Sequence, residues 1–144
     1  MALKDQITLT GRLKIELNGG VIHEVKNLVV TVGKQWIAQR MQGTSVTVMT
    51  HMAIGTGTAG AVIADTALGT EIARNALATS GGTVAANKIS FATTYAAGTG
   101  TGAITEAGIF NANSAGTMLA RTVFAVVNKG ASDSMTITWD ITVS

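Results

Sequence analysis

The feature that most constrains this chain is its last strand-like segment, Ser134 to Val143, which alternates apolar and polar residues without a break. Met135, Ile137, Trp139, Ile141 and Val143 fall on one side, and Ser134, Thr136, Thr138, Asp140 and Thr142 on the other. A period of two places successive side chains on opposite faces of a pleated strand, whereas a helix of 3.6 residues per turn would scatter them. The segment therefore reads as a β-strand with one buried and one wet face. Upstream, Met118 to Val127 reads as a second strand, and Asn128-Lys129-Gly130-Ala131-Ser132-Asp133 holds the turn formers expected to fold the two into a hairpin.

The same pattern recurs towards the amino terminus. Ile7, Leu9, Leu13, Ile15 and Leu17 alternate, Asn18-Gly19-Gly20 supplies residues that tolerate positive φ, and Val21 to Val30 is the returning arm. Thr31 is placed to cap a short helix over Val32 to Met41, where Trp36, Ile37, Arg40 and Met41 stand at helical spacing and Gly43 ends it. Strands are then expected over Met49 to Ile54, Glu71 to Ala78, Lys88 to Tyr95 and Ile104 to Phe110. The loops Gly55 to Gly60 and Gly98 to Gly102 interrupt them, and Asp65 to Gly69 is expected to form a single helical turn. The sum is an all-β chain of about eight strands with one inserted helix, arranged as a jelly-roll-like antiparallel sandwich. At 144 residues, one domain spanning 1–144 is expected, large enough to bury a core without metal or disulfide staples.

Composition excludes much chemistry. With no cysteine there is no disulfide, thiolate nucleophile or thiolate metal site. No apolar run approaches the roughly 18 residues of a membrane span, and Lys4, Asp5, Arg12 and Lys14 break up the first residues, so a soluble chain without a signal peptide is expected. Lysine and arginine outnumber acids six to three up to Gly43, but Lys4, Arg12, Lys14, Lys26, Lys34 and Arg40 are dispersed, and no nucleic-acid footprint emerges. His23 and His51 lack any metal-ligand spacing. The glycines from Gly55 to Gly60 lack the Lys-Ser/Thr step of a P-loop and the spacing of a dinucleotide fingerprint, so a surface loop is expected there. Asp65, Glu71 and Glu106 are far apart in sequence, and nothing predicts the paired carboxylates in a groove, about 5–9.5 Å apart, that a glycan-cleaving enzyme needs. No catalytic, cofactor or metal residue is assigned, and a non-enzymatic structural role is expected. Trp139 is assigned to the core; Trp36, beside Arg40, divides evenly between core and contact surface.

A resemblance adds to this reading. The segment from Glu106 to Ser144, His51-Met52-Ala53-Ile54-Gly55-Thr56-Gly57 with Asp65-Thr66-Ala67-Leu68-Gly69-Thr70-Glu71, and Asn27-Leu28-Val29-Val30-Thr31 with Gly33-Lys34 and Ile37-Ala38 resemble small virion proteins of tailed bacteriophages. In length and layout the chain is similar to the jelly-roll cement (decoration) proteins of short-tailed phage heads. Thr44 to Thr50 and Thr79 to Asn87 contribute least. The resemblance implies a structural protein on the outer surface of the capsid that bridges capsomers of an HK97-like major capsid protein, with no cofactor, no direct nucleic-acid contact and no membrane. A homodimer across local two-fold positions is expected, with a trimer as the alternative; a tail, baseplate or fibre component is the alternative function. Expected contact segments are Met1 to Asp5, Thr44 to Thr50 and Gly98 to Gly102, on the ground of exposure.

Overall fold

A computed structural model describes residues 5–144. Among them the chain forms ten strands and one helix: β1 (Leu9–Leu17), β2 (Gly20–Lys26), β3 (Leu28–Val29), α1 (Thr31–Gln42), β4 (His51–Gly55), β5 (Glu71–Ala76), β6 (Thr83–Ala85), β7 (Lys88–Tyr95), β8 (Gly102–Phe110), β9 (Met118–Lys129) and β10 (Met135–Val143). Two antiparallel five-stranded sheets face each other, the first ordered β2-β1-β10-β7-β6 and the second β3-β9-β8-β4-β5. The all-β sandwich is thus as expected. β3 and β6, of two and three residues, account for the strands beyond eight. Neighbours joined within one sheet are β1 to β2, β4 to β5, β6 to β7 and β8 to β9; the chain crosses between sheets after β2, β5, β7 and β9, and β3 reaches β4 of its own sheet through α1, an order that does not establish a jelly roll.

The first sheet follows its alternation closely. Met135, Ile137, Trp139 and Ile141 of β10 are buried, and they lie opposite buried Leu13 and Ile15 of β1 and Phe91 and Tyr95 of β7 in the shared register. Trp139 is fully buried as expected; its indole N–H has no partner among the described residues, so its contribution there is apolar area. Tyr95 donates its hydroxyl to the Met52 carbonyl at 2.6 Å, linking β7 of the first sheet to β4 of the second, and burial pushes its phenol well above the ordinary value. β1 and β2 form the expected hairpin, with Asn18 at φ 50° and Gly19 at φ 84°, the two positive values of a tight two-residue turn.

Three local expectations are corrected. β9 and β10 do not pair: β10 lies between β1 and β7, β9 between β3 and β8, and Gly130 to Ser134 carries the chain from one sheet to the other. Turn-forming residues announce a change of direction but not the partner of the next strand; here Asp133 accepts the Gly130 N–H at 2.7 Å and closes an arch. Thr31 is not the cap of α1. Val30, extended at φ −79° and ψ 164°, holds that place with no side-chain bond, and the Thr31 N–H goes to the Ile63 carbonyl at 2.8 Å. At the other end Gly43 closes the helix in the left-handed region, as anticipated. Finally, no helical turn forms over 65–69, because the Asp65 carboxylate is committed elsewhere.

Candidate interaction surface and the charges that hold it

The two sheets differ on their outer faces. In the second sheet Ala107 to Phe110 of β8 and Met118 to Thr122 of β9 are buried at every position, so both sides of these strands are covered. Their outer side meets Val30, Ala53 and Leu68, which join Phe110 and Met118 in a second apolar cluster separate from the main core. Leu68 belongs to the connection from Thr56 to Thr70, which has no helix or strand and reaches the upper end of ordinary connections, about 12–15 residues. This connection roofs the outer face of the second sheet.

A buried cluster of charges fastens it. Glu106 on β8 is wholly buried. Its Oε1 accepts the backbone N–H groups of Gly57 at 2.9 Å and Thr70 at 2.7 Å, and its Oε2 accepts the Gly69 N–H at 2.9 Å. Arg121 on β9, 2% exposed, reaches the same Oε2 through Nη2 at 2.8 Å and Nε at 3.2 Å. Its Nη1 donates to Asp65 Oδ2 at 2.8 Å and its Nη2 to the Ala59 carbonyl at 2.9 Å, while Asp65 also accepts the Val62 N–H. Burial by itself would push the Glu106 carboxyl up, but the bonds from Thr70, Arg121, Gly69 and Gly57 outweigh it and hold the carboxyl below its ordinary value. For Arg121, burial works against the charge, and the bonds to Glu106 and Asp65 reverse the balance and raise its pKa.

Gly55 and Gly57, where the connection begins, are explained by this carboxylate, whereas a Cβ on Gly60 would meet nothing within 4 Å. A Cβ on Gly57 would lie 2.5 Å from Glu106 Oε1, and one on Gly55 would lie 2.3 Å from the Thr70 carbonyl oxygen. Close approach of backbone to a side chain, not phosphate binding, is what these glycines serve. Of the three acids singled out from the sequence, the fold brings together Asp65 and Glu106, but with the Arg121 guanidinium between them. Arg121 was not singled out. The signal for it was a lone charge within Met118 to Val127, matched by the lone Glu106 within Ile104 to Phe110. Glu71 is elsewhere, bound to Arg74 through both oxygens at 2.7 and 2.9 Å. Arg74 lies 3.8 Å above the Phe110 ring and donates to the carbonyls of Ala112 and Ala115, so a second arginine ties down the connection between β8 and β9.

The roof presents apolar side chains to solvent. Val62 and Ile63 are 54% and 57% exposed at its tip, and from Thr56 to Ala64 the connection carries no charge. The expected contact segments fare differently. Met1 to Lys4 lie outside the described residues. Thr44 to Val48 are exposed or half-buried, and the Thr47 carbonyl accepts the Trp36 indole N–H at 2.8 Å; the Trp36 ring packs against the core. The loop containing Gly98 is tied by the Gly98 N–H to the Ala131 carbonyl at 2.8 Å. His51 bonds Thr50 through Nδ1 at 2.8 Å and His23 lies against the Phe124 ring; no group of three potential metal ligands occurs among the described residues. Comparison with protein-family models, curated proteins and solved structures finds no match.

Proposed function

We propose that the protein is a structural component of a bacteriophage virion that binds the outer surface of the head and reinforces the lattice of the major capsid protein. The observation that carries this reading joins sequence to geometry. Of the stretches that resemble cement proteins, His51 to Gly57, Asp65 to Glu71 and the segment from Glu106 are fastened to one another by the Glu106–Arg121–Asp65 cluster, while Asn27 to Thr31 and the start of the helix lie outside it. Gly57, Asp65, Gly69, Thr70, Glu106 and Arg121, all within those three stretches, thus hold one connection in place. A connection already ordered before contact loses little conformational freedom on docking, which favours repeated modest contacts over a lattice. Val62 and Ile63, exposed and uncharged, are the side chains we assign to that contact, and self-association as a homodimer belongs to the proposal. A protein that binds the assembled shell but not its free subunits stabilises the shell by mass action.

The experiment is the copy number of this chain relative to the major capsid protein in purified virions, by quantitative mass spectrometry. Near parity is expected. A handful of copies per particle would instead assign the chain to tail, baseplate or fibre, and absence from the particle would overturn both readings.

A further inference from the structure

Asn18 is the one asparagine in the chain followed by glycine. That dipeptide has a chemistry of its own: the residue after asparagine supplies a backbone nitrogen that can attack the side-chain amide carbon, and glycine has no side chain to obstruct it. Asn18 and Gly19 form the two-residue turn between β1 and β2, and the Asn18 carboxamide is engaged at both ends. Its Nδ2 donates to Asp133 Oδ1 at 2.9 Å, and its Oδ1 accepts the Ser134 N–H at 2.9 Å. The Asn18 backbone N–H donates to the Ser134 carbonyl at 2.8 Å. The hairpin tip is thereby stapled to the arch by which the chain passes from β9 to β10.

We propose that Asn18 is a site of spontaneous deamidation, and that its staple to Asp133 and Ser134 holds the reaction in check while the protein is folded. In the reaction the Gly19 nitrogen gives up its proton and bonds to Asn18 Cγ, the side-chain nitrogen leaves as ammonia, and a cyclic succinimide forms. One water then opens either carbonyl, giving aspartate or isoaspartate at position 18. For each conversion one water enters and one ammonia leaves, with no oxidant or reductant. The carboxamide must release both Asp133 and the Ser134 N–H before Cγ can swing onto the Gly19 nitrogen, so the rate is set by how often the staple opens.

Conversion also removes the half of the staple that reaches Asp133, since an acid at 18 can accept the Ser134 N–H but has no amide to donate. The Asn18 amide and the Gly130 N–H hold the Asp133 carboxyl below its ordinary value, so an acid formed at 18 meets a charged carboxylate where an amide donor stood. Isoaspartate in addition lengthens the backbone of a turn whose two residues are both at positive φ. The turn therefore behaves as a one-way chemical timer on the tie between hairpin and arch.

The test follows succinimide, aspartate and isoaspartate at position 18 by peptide mapping during incubation at mildly alkaline pH. Four samples are compared: the folded protein, the chain unfolded in urea, and folded Asp133→Ala and Asp133→Asn. Asp133 serves the Asn18 amide with Oδ1 and the Gly130 N–H with Oδ2, so Asp133→Asn, which has one acceptor oxygen, removes the charge and weakens the staple where Asp133→Ala removes both acceptors. The expected result is conversion several-fold slower in the folded protein than in urea, faster in folded Asp133→Ala than in the folded parent, and intermediate in Asp133→Asn. Equal rates in the folded protein and in urea, equal rates in the parent and Asp133→Ala, or no conversion at position 18 even in urea would overturn the proposal.

Discussion

The two outer faces of the sandwich solve the same problem in opposite ways. The first sheet turns Thr10 and Arg12 of β1, Lys88, Ser90 and Thr94 of β7 and Thr136, Thr138, Asp140 and Thr142 of β10 towards water, and its side-chain bonds there, such as Ser90 to Asp140 at 2.6 Å and Thr94 to Thr136 at 2.9 Å, are local to the surface. The second sheet turns Ala53, Phe110 and Met118 outward and covers them with a connection held by buried charges. A polar face needs no cover because its groups are satisfied by solvent. An apolar face needs a roof, and a roof made of irregular backbone has N–H groups that cannot pair in a ladder, which is what Glu106 supplies.

The comparison is broken most severely by removing one partner of the buried pair. Glu106→Gln removes the fully buried counter-charge of Arg121 and leaves it only Asp65, and is expected to cost up to about 3–5 kcal/mol. The measurement is the denaturant midpoint, accompanied by hydrogen exchange of the Gly57, Gly69 and Thr70 amides, which should lose protection together. Removing both charges in Glu106→Gln/Arg121→Met should cost less than the sum of the single changes, because the charge then left without its partner is that of Asp65, which is partly exposed to solvent, and not a fully buried one. Additivity, or protected amides in Glu106→Gln, would show that the apolar contacts of Leu68 hold the roof without the carboxylate.

The same contrast decides what could be read from the sequence. In the first sheet one face is wet, so alternation survives and gives β1, β7 and β10 nearly residue by residue. In the second sheet β8 and β9 are covered on both sides, and their apolar runs say strand without saying which face is which. The long-range pairings were not legible at all: Arg121 lies opposite Gly108, and that adjacency of β8 and β9 brings it to Glu106. The arch after β9 was misread for a related reason, since an asparagine, glycine and aspartate cluster serves a hairpin and a sheet crossing equally well. What could have been drawn from the sequence is narrower: a single glutamate within Ile104 to Phe110 and a single arginine within Met118 to Val127, each otherwise uncharged, must find opposite charges if the strands are buried.

Acid sharpens the comparison with a smaller effect. Glu106 has its carboxyl held below the ordinary value, so its ionised form contributes stability that is fully present above the unfolded-chain value, about 4.3, and is lost as pH falls through the lowered folded value. The stability gap between the parent protein and Glu106→Gln should therefore narrow between neutral pH and pH about 3, which lies below the unfolded-chain value. Urea midpoints at the two pH values measure it. A gap that stays constant would mean that Glu106 binds its proton alike in the folded and unfolded chain and that the roof is indifferent to acid.

The smallest effects on stability are expected at exposed positions, and there the two faces can be separated by what they do to binding. Val62→Asp combined with Ile63→Asp alters side chains at the tip of the roof that are more than half exposed, and each should shift stability by no more than about 0.5 kcal/mol. Thr10→Asp on the open face pays the low strand propensity of aspartate, up to about 1 kcal/mol. If the roof is the contact with the shell, the first variant should fail to co-sediment with heads lacking the native protein while Thr10→Asp binds like the parent, because a carboxylate facing an apolar contact must be desolvated without a partner. The reverse pattern would move the contact to the open threonine face and leave the buried charges with a purely architectural task. Equal binding by both variants would place the contact on neither face and direct attention to the ends of the sandwich, where Ile7 and Met41 are 71% and 78% exposed.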